Sequence, residues 1–479
     1  MSQPALHGTA CKVCRRRGRK CDRTLPTCLA CKKRGVECEG YVTRWPGVAA
    51  RGKLAGKSIP VVGEKPVCVA KPKSAKGHSH QGRKPRDTGM EPWMLNQNHG
   101  HQSEIPKTDQ FDESDIDKLV QHYIDDLSGI FYLGDGPSQN PMFQYVLPLV
   151  DTVPPIRYAL AASAACHTAA RNSDRALDQK SLSLRVHATS LMRERLLDQS
   201  LTTLDTMIPS ILMLAQLDMC SGDCIEFEVH LKAGVELCRD ARADHGSNNY
   251  YFEQRIAWLD IISSTTSTRM PFFTHQEFLT SLGRICNHGK RAWSYDVFPC
   301  PIELCEMLVD TIFLSKERST VTCDESDEAL STAHTIEHQL QTWTEPVAST
   351  DDLRDHLVQS WRLGILAYLR RLFPSLQTGQ RTTRSTSLAT QLLRHAQSIP
   401  QGSSRSFPLL WPIFQVAVTL DDSALDEKGW IRSYLMGSLD EVGCRHFSNA
   451  LHVLEEVWVN CGRTELPATG VFGRTIVLG

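Results

Sequence analysis

Six cysteines near the N-terminus have the spacing of a metal site. They follow two copies of the pattern C-x2-C-x6-C, separated by six residues: Cys11, Cys14, Cys21, Cys28, Cys31 and Cys38. A cysteine thiolate is a zinc ligand, and structural zinc takes four ligands in a tetrahedron. Two such sites need eight ligand positions, so six sulfurs can serve two zinc ions only if two sulfurs are shared.

The internal repeat suggests which sulfurs are shared. Cys11 and Cys28 are the first cysteines of the two halves and therefore hold equivalent positions. In this interpretation each ion binds that pair and two cysteines from one half, either Cys14 and Cys21 or Cys31 and Cys38. A segment this short cannot bury a core of its own, so metal binding would supply most of its folding free energy, roughly 10 kcal/mol or more per site.

Arginine and lysine fill the spaces between the cysteines. Residues 1–60 carry 14 basic and 3 acidic side chains, a net charge of +11. This density is typical of surfaces that bind nucleic-acid phosphates. Arginine and lysine also pair with the N7 and O6 acceptors of guanine in the major groove, so the same segment can recognise sequence in double-stranded DNA.

The segment resembles the fungal binuclear zinc cluster of DNA-binding transcription regulators. The similar residues lie within 10–41 and are Ala10 to Arg17, Arg19 to Asp22, Pro26, Cys28, Cys31, Gly35, Cys38 and Tyr41. The resemblance implies two bound zinc ions and a short helix in the major groove, with basic residues at its C-terminal end on bases, typically in GC-rich triplets. Carried over by position, the implied DNA-binding residues are Arg17, Arg19 and Lys20 near the bases and Arg15 and Arg16 on phosphates.

Other interpretations of the cysteines are a basic structural zinc knuckle, a protein-binding zinc module and a set of disulfides. Ring-type modules need eight ligands and usually include histidine, and no histidine lies between the first and last cysteine of the segment. The N-terminus shows no charged n-region followed by an apolar h-region, which predicts a reducing compartment in which thiols stay available for metal.

Charge divides the chain into a basic head and an acidic body. Residues 1–110 carry a net charge of +14 and the remainder carries −15, within a total of −1. We expect the head to meet nucleic acid and the body to meet other proteins. The resemblance makes the transcription machinery or coregulators the expected partners. No 18-residue apolar run is present to span a membrane.

Residues 42–110 are rich in Gly, Pro, Lys and Ser and lack helical periodicity, which predicts a flexible basic linker that is disordered. The basic tract at 71–86 is typical of a nuclear import signal, so we expect the nucleus as the location. Residues 44–60 contain two prolines and three glycines, which leaves no room for a coiled coil. Two alternatives then remain: the chain binds DNA as a monomer, or it forms a homodimer through the C-terminal domain.

From residue 111 the hydrophobic pattern becomes helical. Apolar residues recur at i, i+3, i+4 and i+7 between Ile116 and Leu127, after an acidic start at Asp112 to Asp115. Further helices are predicted at 158–170, 181–197, 204–219, 226–241, 250–263, 302–314, 352–372, 388–396 and 447–459. No run of alternating strands occurs. The predicted fold class is a small two-zinc cluster module plus a large all-α helical domain, joined by a disordered linker.

Several segments of the body resemble the regulatory domain found beside the zinc cluster in one large group of fungal regulators. They are Val146 to Leu149, Ala159 to Ala170, Trp258 to Thr266, Leu410 to Phe414 and Leu454 to Trp458. The resemblance covers 111–462 and leaves 463–479 as a C-terminal tail. It implies a domain that regulates the cluster or contacts the transcription machinery, and it implies no catalytic residues.

Motifs of catalysis are missing from the sequence. The stretch 52–58 resembles a phosphate-binding loop but has three residues between its glycines where that motif requires four. G-x-S-x-G, H-E-x-x-H and G-x-G-x-x-G motifs do not occur. Cys220 and Cys224 stand four apart on a predicted helix, hence on one face, but lack further ligands nearby. Most cysteines outside the head are therefore predicted to be small buried residues.

The preferred interpretation is a nuclear, sequence-specific regulator of RNA polymerase II transcription, acting on a metabolic or secondary-metabolite pathway, and not an enzyme. The alternative is a zinc-containing scaffold or corepressor that acts through protein partners. Direct, zinc-dependent binding to a GC-rich duplex would favour the first.

Overall fold

A computed structural model describes two sets of residues. Near the N-terminus it describes 11, 13–14, 17, 20–22, 28–36 and 38. The second set is 111–130, 132–134, 139–198, 203–243, 250–283, 297–320, 327–345, 351–377, 381–460 and 476–478. The chain divides into two compact units, Met1–Gly100 and His101–Gly479. The predicted linker, 42–110, lies outside the described residues.

The described residues of the second unit are helical, and no strand occurs among them. After α1 (Leu29–Lys32) in the first unit, the α-helices are α2 (Glu113–His122), α3 (Pro154–Asn172), α4 (Arg175–Leu197), α5 (Leu204–Ser221), α6 (Phe227–Ala243), α7 (Tyr250–Ser264), α8 (His275–Leu282), α9 (Ile302–Thr320), α10 (Asp327–Thr342), α11 (Asp352–Leu372), α12 (Arg381–Gln397), α13 (Leu410–Ala417), α14 (Leu425–Val442) and α15 (His446–Asn460). The predicted fold class, a small head followed by a large helical domain, is confirmed.

The first helix of the body begins where its sequence predicts. The Asp112 carboxylate accepts a hydrogen bond from the backbone N–H of Ser114 at 3.0 Å, which satisfies one of the free donors at the start of α2. Ile116 and Val120 are buried on one face. A π-helical turn, Tyr123–Leu127, continues the helix.

Helix α3 lies at the centre of the first half of the domain, where it packs against α2, α4, α5 and α14. Six of its seven alanines are buried, and their small side chains let neighbouring backbones approach closely. The Ser181 hydroxyl of α4, for example, donates to the carbonyl oxygen of Ala162 at 2.8 Å. The alanine-rich pattern thus permits close packing of α3 against its neighbours.

Helix α11 organises the second half of the domain and packs against α9, α10, α12 and α13. The indole of Trp361 stacks on that of Trp411, with ring centroids 4.9 Å apart and planes 7° apart. The indole N–H of Trp411 donates to the Thr265 hydroxyl at 2.9 Å, which links α13 to the end of α7. One continuous apolar core therefore joins the two halves of the domain.

Four helices of the body are absent from the sequence prediction: α8, α10, α13 and α14. Helix α12 also begins at Arg381, seven residues before the predicted start at Leu388. The shared helix face predicted for Cys220 and Cys224 is wrong, because α5 ends at Ser221. Gly222 then adopts the left-handed conformation, with φ of +71°, and turns the chain before Cys224.

The described end of the chain is buried. Ile476, Val477 and Leu478 lie within the core of the helical domain. The Thr266 hydroxyl donates to the carbonyl oxygen of Ile476 at 2.6 Å. These three residues, which the sequence analysis placed in a tail, therefore pack as part of the domain.

None of the described helices is long and apolar enough to cross a membrane.

Candidate metal centre and nucleic-acid interface

The six cysteine sulfurs of the head converge in two overlapping groups of four. Within each group all ligand atoms lie within 4.8 Å of one another. The groups are Cys11, Cys14, Cys21 and Cys28, and Cys11, Cys28, Cys31 and Cys38. Both contain the pair that occupies equivalent positions in the sequence repeat. This arrangement fits two tetrahedral ions that share two bridging thiolates.

Distances between the sulfurs match the edge of a zinc–thiolate tetrahedron. With zinc–sulfur bonds of about 2.3 Å, two ligands of one ion lie about 3.8 Å apart. The Cys11 and Cys28 sulfurs are 3.6 Å apart, and the Cys14 and Cys28 sulfurs are 3.8 Å apart. Cys11 and Cys31 are separated by 3.7 Å. The donor set therefore fits zinc in both chemistry and spacing.

The two halves of the head repeat the same local structure around their first cysteine. The backbone N–H of Cys14 donates to the Cys11 sulfur at 3.3 Å, and the backbone N–H of Cys31 donates to the Cys28 sulfur at 3.2 Å. In the second half this bond caps α1. Hydrogen bonds from backbone N–H groups stabilise charge on sulfur, as required of a thiolate that binds two cations.

Gly35 ends the turn that follows α1. Its φ of +64° lies in the left-handed region, which glycine adopts without strain. The backbone N–H of Val36 donates to the carbonyl oxygen of Cys31 at 3.2 Å and closes the turn. Cys38 is thereby directed back toward the other sulfurs.

Asp22 joins the two halves, a role that the sequence analysis did not assign. Its carboxylate accepts hydrogen bonds from the backbone N–H groups of Leu29 at 2.9 Å and Ala30 at 2.6 Å. A carboxylate at a helix N-terminus satisfies free donors and complements the helix dipole. Because Asp22 follows Cys21 directly, this contact ties the end of the first half to the start of the second. The sequence did offer one signal for this role, namely an acidic residue within a strongly basic segment.

Burial makes the free thiols reluctant to ionise. Desolvation by burial raises the pKa of Cys11 to about 12 and also raises the pKa values of Cys28 and Cys31. Zinc binds thiolates, and its charge supplies the stabilisation that water no longer provides. A buried cluster of sulfurs of this kind is therefore suited to hold cations.

Exposed cations surround the buried sulfurs. Arg17 and Lys20 are exposed in the first half, and Lys32, Lys33 and Arg34 are exposed in the second. The backbone N–H of Arg17 donates to the carbonyl oxygen of Val13 at 3.1 Å, which extends the helical turn that carries Cys14. Of the predicted DNA-binding residues, Arg15, Arg16 and Arg19 lie outside the described residues.

Cysteines of the body do not form a second metal site among the residues that the structure describes. All seven described there are buried: Cys166, Cys220, Cys224, Cys238, Cys300, Cys305 and Cys444. The described groups of three or more potential ligands are those of the head. Cys220 lies instead against Cys444, with 3.4 Å between the sulfurs.

Buried carboxylates of the body serve the fold. Asp260 is fully buried, and burial raises its pKa, while Arg269 and the backbone N–H groups of Phe272 and Phe273 oppose that shift. Asp218, also fully buried, contacts Arg185 at 2.7 Å and His230 at 2.9 Å. These groups hold helices and loops together.

Comparison with protein families gives two matches. Residues 118–463 match the family described as Fungal specific transcription factor domain. Residues 9–45 match the Fungal Zn(2)-Cys(6) binuclear cluster domain. No curated protein and no solved structure matches the chain.

The first of these matches spans most of the chain, and the second coincides with the six-cysteine head. Both families are those of transcription factors, and the cluster domain binds two zinc ions. The chain belongs to the fungal-specific transcription factor domain family and is a DNA-binding, zinc-containing regulator of transcription.

Proposed function

We propose that the head recognises GC-rich sequence in double-stranded DNA and thereby directs RNA polymerase II transcription in the nucleus. The observation that carries this proposal is the position of Arg17. It is exposed and held by a helical hydrogen bond one turn beyond Val13, next to the buried sulfurs. With its backbone held in this way, Arg17 can present its guanidinium to the N7 and O6 atoms of guanine.

In this proposal two zinc ions fold the head, and the six cysteines are their ligands. Arg17, Arg19 and Lys20 contact bases, while Arg15 and Arg16 contact phosphates. The metal supplies charge neutralisation for the thiolates and fixes the chain between them. The head's own residues then hold the basic side chains in place: Asp22 couples the halves and Gly35 returns the chain to Cys38.

The proposed division of labour follows the charge of the chain. The head, 10–41, binds DNA; residues 42–110 link it to the helical domain, 111–462; and 463–479 complete the chain. The acidic helical domain contacts coregulators or the transcription machinery, since its negative charge opposes contact with DNA. We propose a metabolic or secondary-metabolite pathway as the target.

Gel-shift titration of the full chain against a GC-rich duplex tests this function. Zinc-dependent binding that favours the GC-rich duplex over an AT-rich one is expected. No binding by the zinc-loaded chain would point to the scaffold or corepressor, and zinc-independent binding would contradict the zinc cluster as the DNA-binding surface. Turnover of a metabolite would point to an enzyme.

Two substitutions separate base recognition from phosphate binding. Arg17→Ala should reduce discrimination between the preferred and a mismatched duplex by about 1–3 kcal/mol. Arg15→Ala should weaken binding to both duplexes equally and lower the slope of log affinity against log salt by about one unit. Lys232→Ala, which removes an exposed cation from α6, is the matched control and should change neither. Identical behaviour of the two arginine variants would contradict the assignment.

A further inference from the structure

A small, half-open cavity lies where the two halves of the helical domain meet. Arg255 and Trp258 of α7 line one side, Trp361 of α11 lines another, and Phe407 contributes from the turn before α13. The rings of Trp258 and Trp361 have centroids 5.2 Å apart. The other lining residues are aliphatic or proline. The wall is therefore largely apolar, as is usual for sites that bind small molecules.

Arg255 brings a positive charge to this apolar wall without a counter-ion. Within the described part of the chain no carboxylate or other acceptor contacts its guanidinium, which lies 5.9 Å from the centroid of the Phe298 ring. By contrast, Arg185 of α4 contacts two carboxylates, and Arg371 of α11 donates to an amide oxygen. Desolvation by burial lowers the pKa of Arg255. A partly buried cation of this kind is stabilised when an anion joins it.

Trp361 adds a second unsatisfied donor to the same cavity. Its side chain is 1% exposed, and its indole N–H has no hydrogen-bond partner among the described residues. Trp411, on which it stacks, donates its own indole N–H to the Thr265 hydroxyl. Buried indole N–H groups normally find an acceptor, so the free one at Trp361 indicates that an acceptor can bind in the cavity.

The two donors favour a carboxylate over other anions. A guanidinium pairs with a carboxylate through two parallel hydrogen bonds. Phosphate and sulfate carry acceptor oxygens on every side, and the apolar wall would leave most of these oxygens without donors. A carboxylate on an aliphatic chain has its acceptors at one end only. Its chain can therefore contact the aromatic rings while its oxygens meet the two donors.

The size of the cavity limits the length of the ligand. Its volume is about 30 Å³, whereas one water molecule needs about 10–15 Å³. This space holds a carboxylate group and the first carbon beyond it. The rest of a short chain would extend through the open side of the cavity.

We propose that the helical domain binds a short-chain aliphatic monocarboxylate in this cavity, with the carboxylate on Arg255 and Trp361 and the chain against Trp258 and Phe407. Because Arg255 belongs to α7 and Trp361 to α11, the ligand bridges the two halves of the domain. A ligand of so few atoms makes few contacts, so its dissociation constant should lie in the millimolar range. The site is separate from the DNA-binding head and does not depend on the proposed function.

Saturation-transfer NMR of the zinc-loaded full chain with sodium butyrate tests the proposal. Butyramide, a neutral compound of the same shape, is the matched ligand control. Butyrate should bind with a millimolar dissociation constant, and butyramide should bind roughly tenfold more weakly or not at all. Sodium phosphate should not displace butyrate. Equal binding of the two compounds, displacement by phosphate, or no binding of butyrate well above the millimolar range would each overturn the proposal.

Substitutions at the two donors test the position of the carboxylate. Arg255→Gln removes the charge and should raise the dissociation constant of butyrate roughly tenfold or more. Trp361→Phe keeps an aromatic ring, removes the N–H and should raise it about threefold. Arg193→Gln, at an exposed arginine of α4, is the matched control and should leave it unchanged.

Circular dichroism should show equal helix content for these variants. A folded Arg255→Gln chain that binds butyrate as the parent does would overturn the proposal. If that variant did not fold, the comparison of butyrate with butyramide on the parent chain would decide.

Discussion

The sulfur atoms of Cys11 and Cys28 lie 3.6 Å apart, and both belong to each of the two four-sulfur groups of the head. The remaining cysteines belong to one group each. Loss of a shared sulfur should therefore have a larger effect than loss of an unshared one. This difference separates a two-ion cluster with bridging thiolates from two independent sites.

Cys28→Ser should abolish binding of both zinc ions and of DNA, because a hydroxyl replaces a ligand in each tetrahedron. Cys38→Ser is the matched variant and should leave one ion bound. Metal content is measured on the purified full chain by mass spectrometry under native conditions. Equal zinc content in the two variants would exclude the bridging arrangement.

Asp22→Ala should loosen the contact between the halves of the head. The substitution leaves the backbone N–H groups of Leu29 and Ala30 without their carboxylate, which costs about 1 kcal/mol. Transfer of zinc to a coloured chelator should then accelerate about fivefold if the loosened state releases the metal. Asp22→Asn retains one acceptor oxygen and should fall between. An unchanged rate for Asp22→Ala would show that the carboxylate contributes nothing to the head.

One substitution at two glycines should have opposite effects on the helical domain. A Cβ at Gly364 of α11 would lie 2.7 Å from the Cβ of Pro412, so Gly364→Ala should lower the free energy of unfolding by about 1–3 kcal/mol. A Cβ at Gly429 of α14 meets nothing within 4 Å, so Gly429→Ala should raise it by about 0.5–1 kcal/mol. Urea denaturation measures both. A stabilised Gly364→Ala would contradict the close contact between α11 and α13.

His446 should make the helical domain sensitive to acid. It is buried against Phe407 and Phe447, and neither ring nitrogen has a hydrogen-bond partner among the described residues. Desolvation by burial lowers its pKa from 6.5 to about 3. Below pH 6.5 this histidine binds a proton in the unfolded chain but stays neutral in the native one. The free energy of unfolding is therefore highest above pH 6.5 and falls as the pH is lowered toward 3.

At pH 5 this histidine should lower the free energy of unfolding by about 2 kcal/mol relative to pH 7. His446→Phe keeps an aromatic ring but removes the titrating group. The drop in the free energy of unfolding between pH 7 and pH 5 should therefore be about 2 kcal/mol smaller in this variant. Urea denaturation followed by tryptophan fluorescence measures it. His334→Gln, a substitution at an exposed position, is the control and should leave the pH dependence of the free energy of unfolding unchanged. If His446→Phe kept the pH dependence of the parent chain, the sensitivity to acid would have to come from other groups.

The sequence predicted α2 and α3, in which apolar residues occupy most of the buried positions. The sequence analysis missed α14 because a lysine, Lys428, occupies a buried position in the apolar stripe of that helix. Its ammonium lies 5.5 Å from the centroid of the Trp458 ring, a contact that a local pattern cannot include. It missed α10 for a similar reason, since a glutamate, Glu337, interrupts the apolar face of that helix. In the structure Glu337 faces the core and contacts Arg370 at 2.7 Å.

In the head, the sequence repeat was enough to suggest the sulfur pair that the two groups share. For Asp22 the sequence offered only one signal, an acidic residue within a basic segment, and that signal does not identify the groups that the carboxylate contacts. The Asp22 carboxylate binds the backbone N–H groups of Leu29 and Ala30, seven and eight residues later in the chain. A pattern of side chains does not show where backbone groups of this kind will lie.

The zinc content of the full chain tests the central claim most directly. Native mass spectrometry of the chain purified under anaerobic conditions with zinc in excess should show two bound ions. Cys14 and Cys31, one from each group, also lie within 3.7 Å, so a single ion held by four sulfurs is the nearest competing arrangement. One bound ion, or none, would contradict the shared-thiolate cluster and the DNA-binding surface that depends on it.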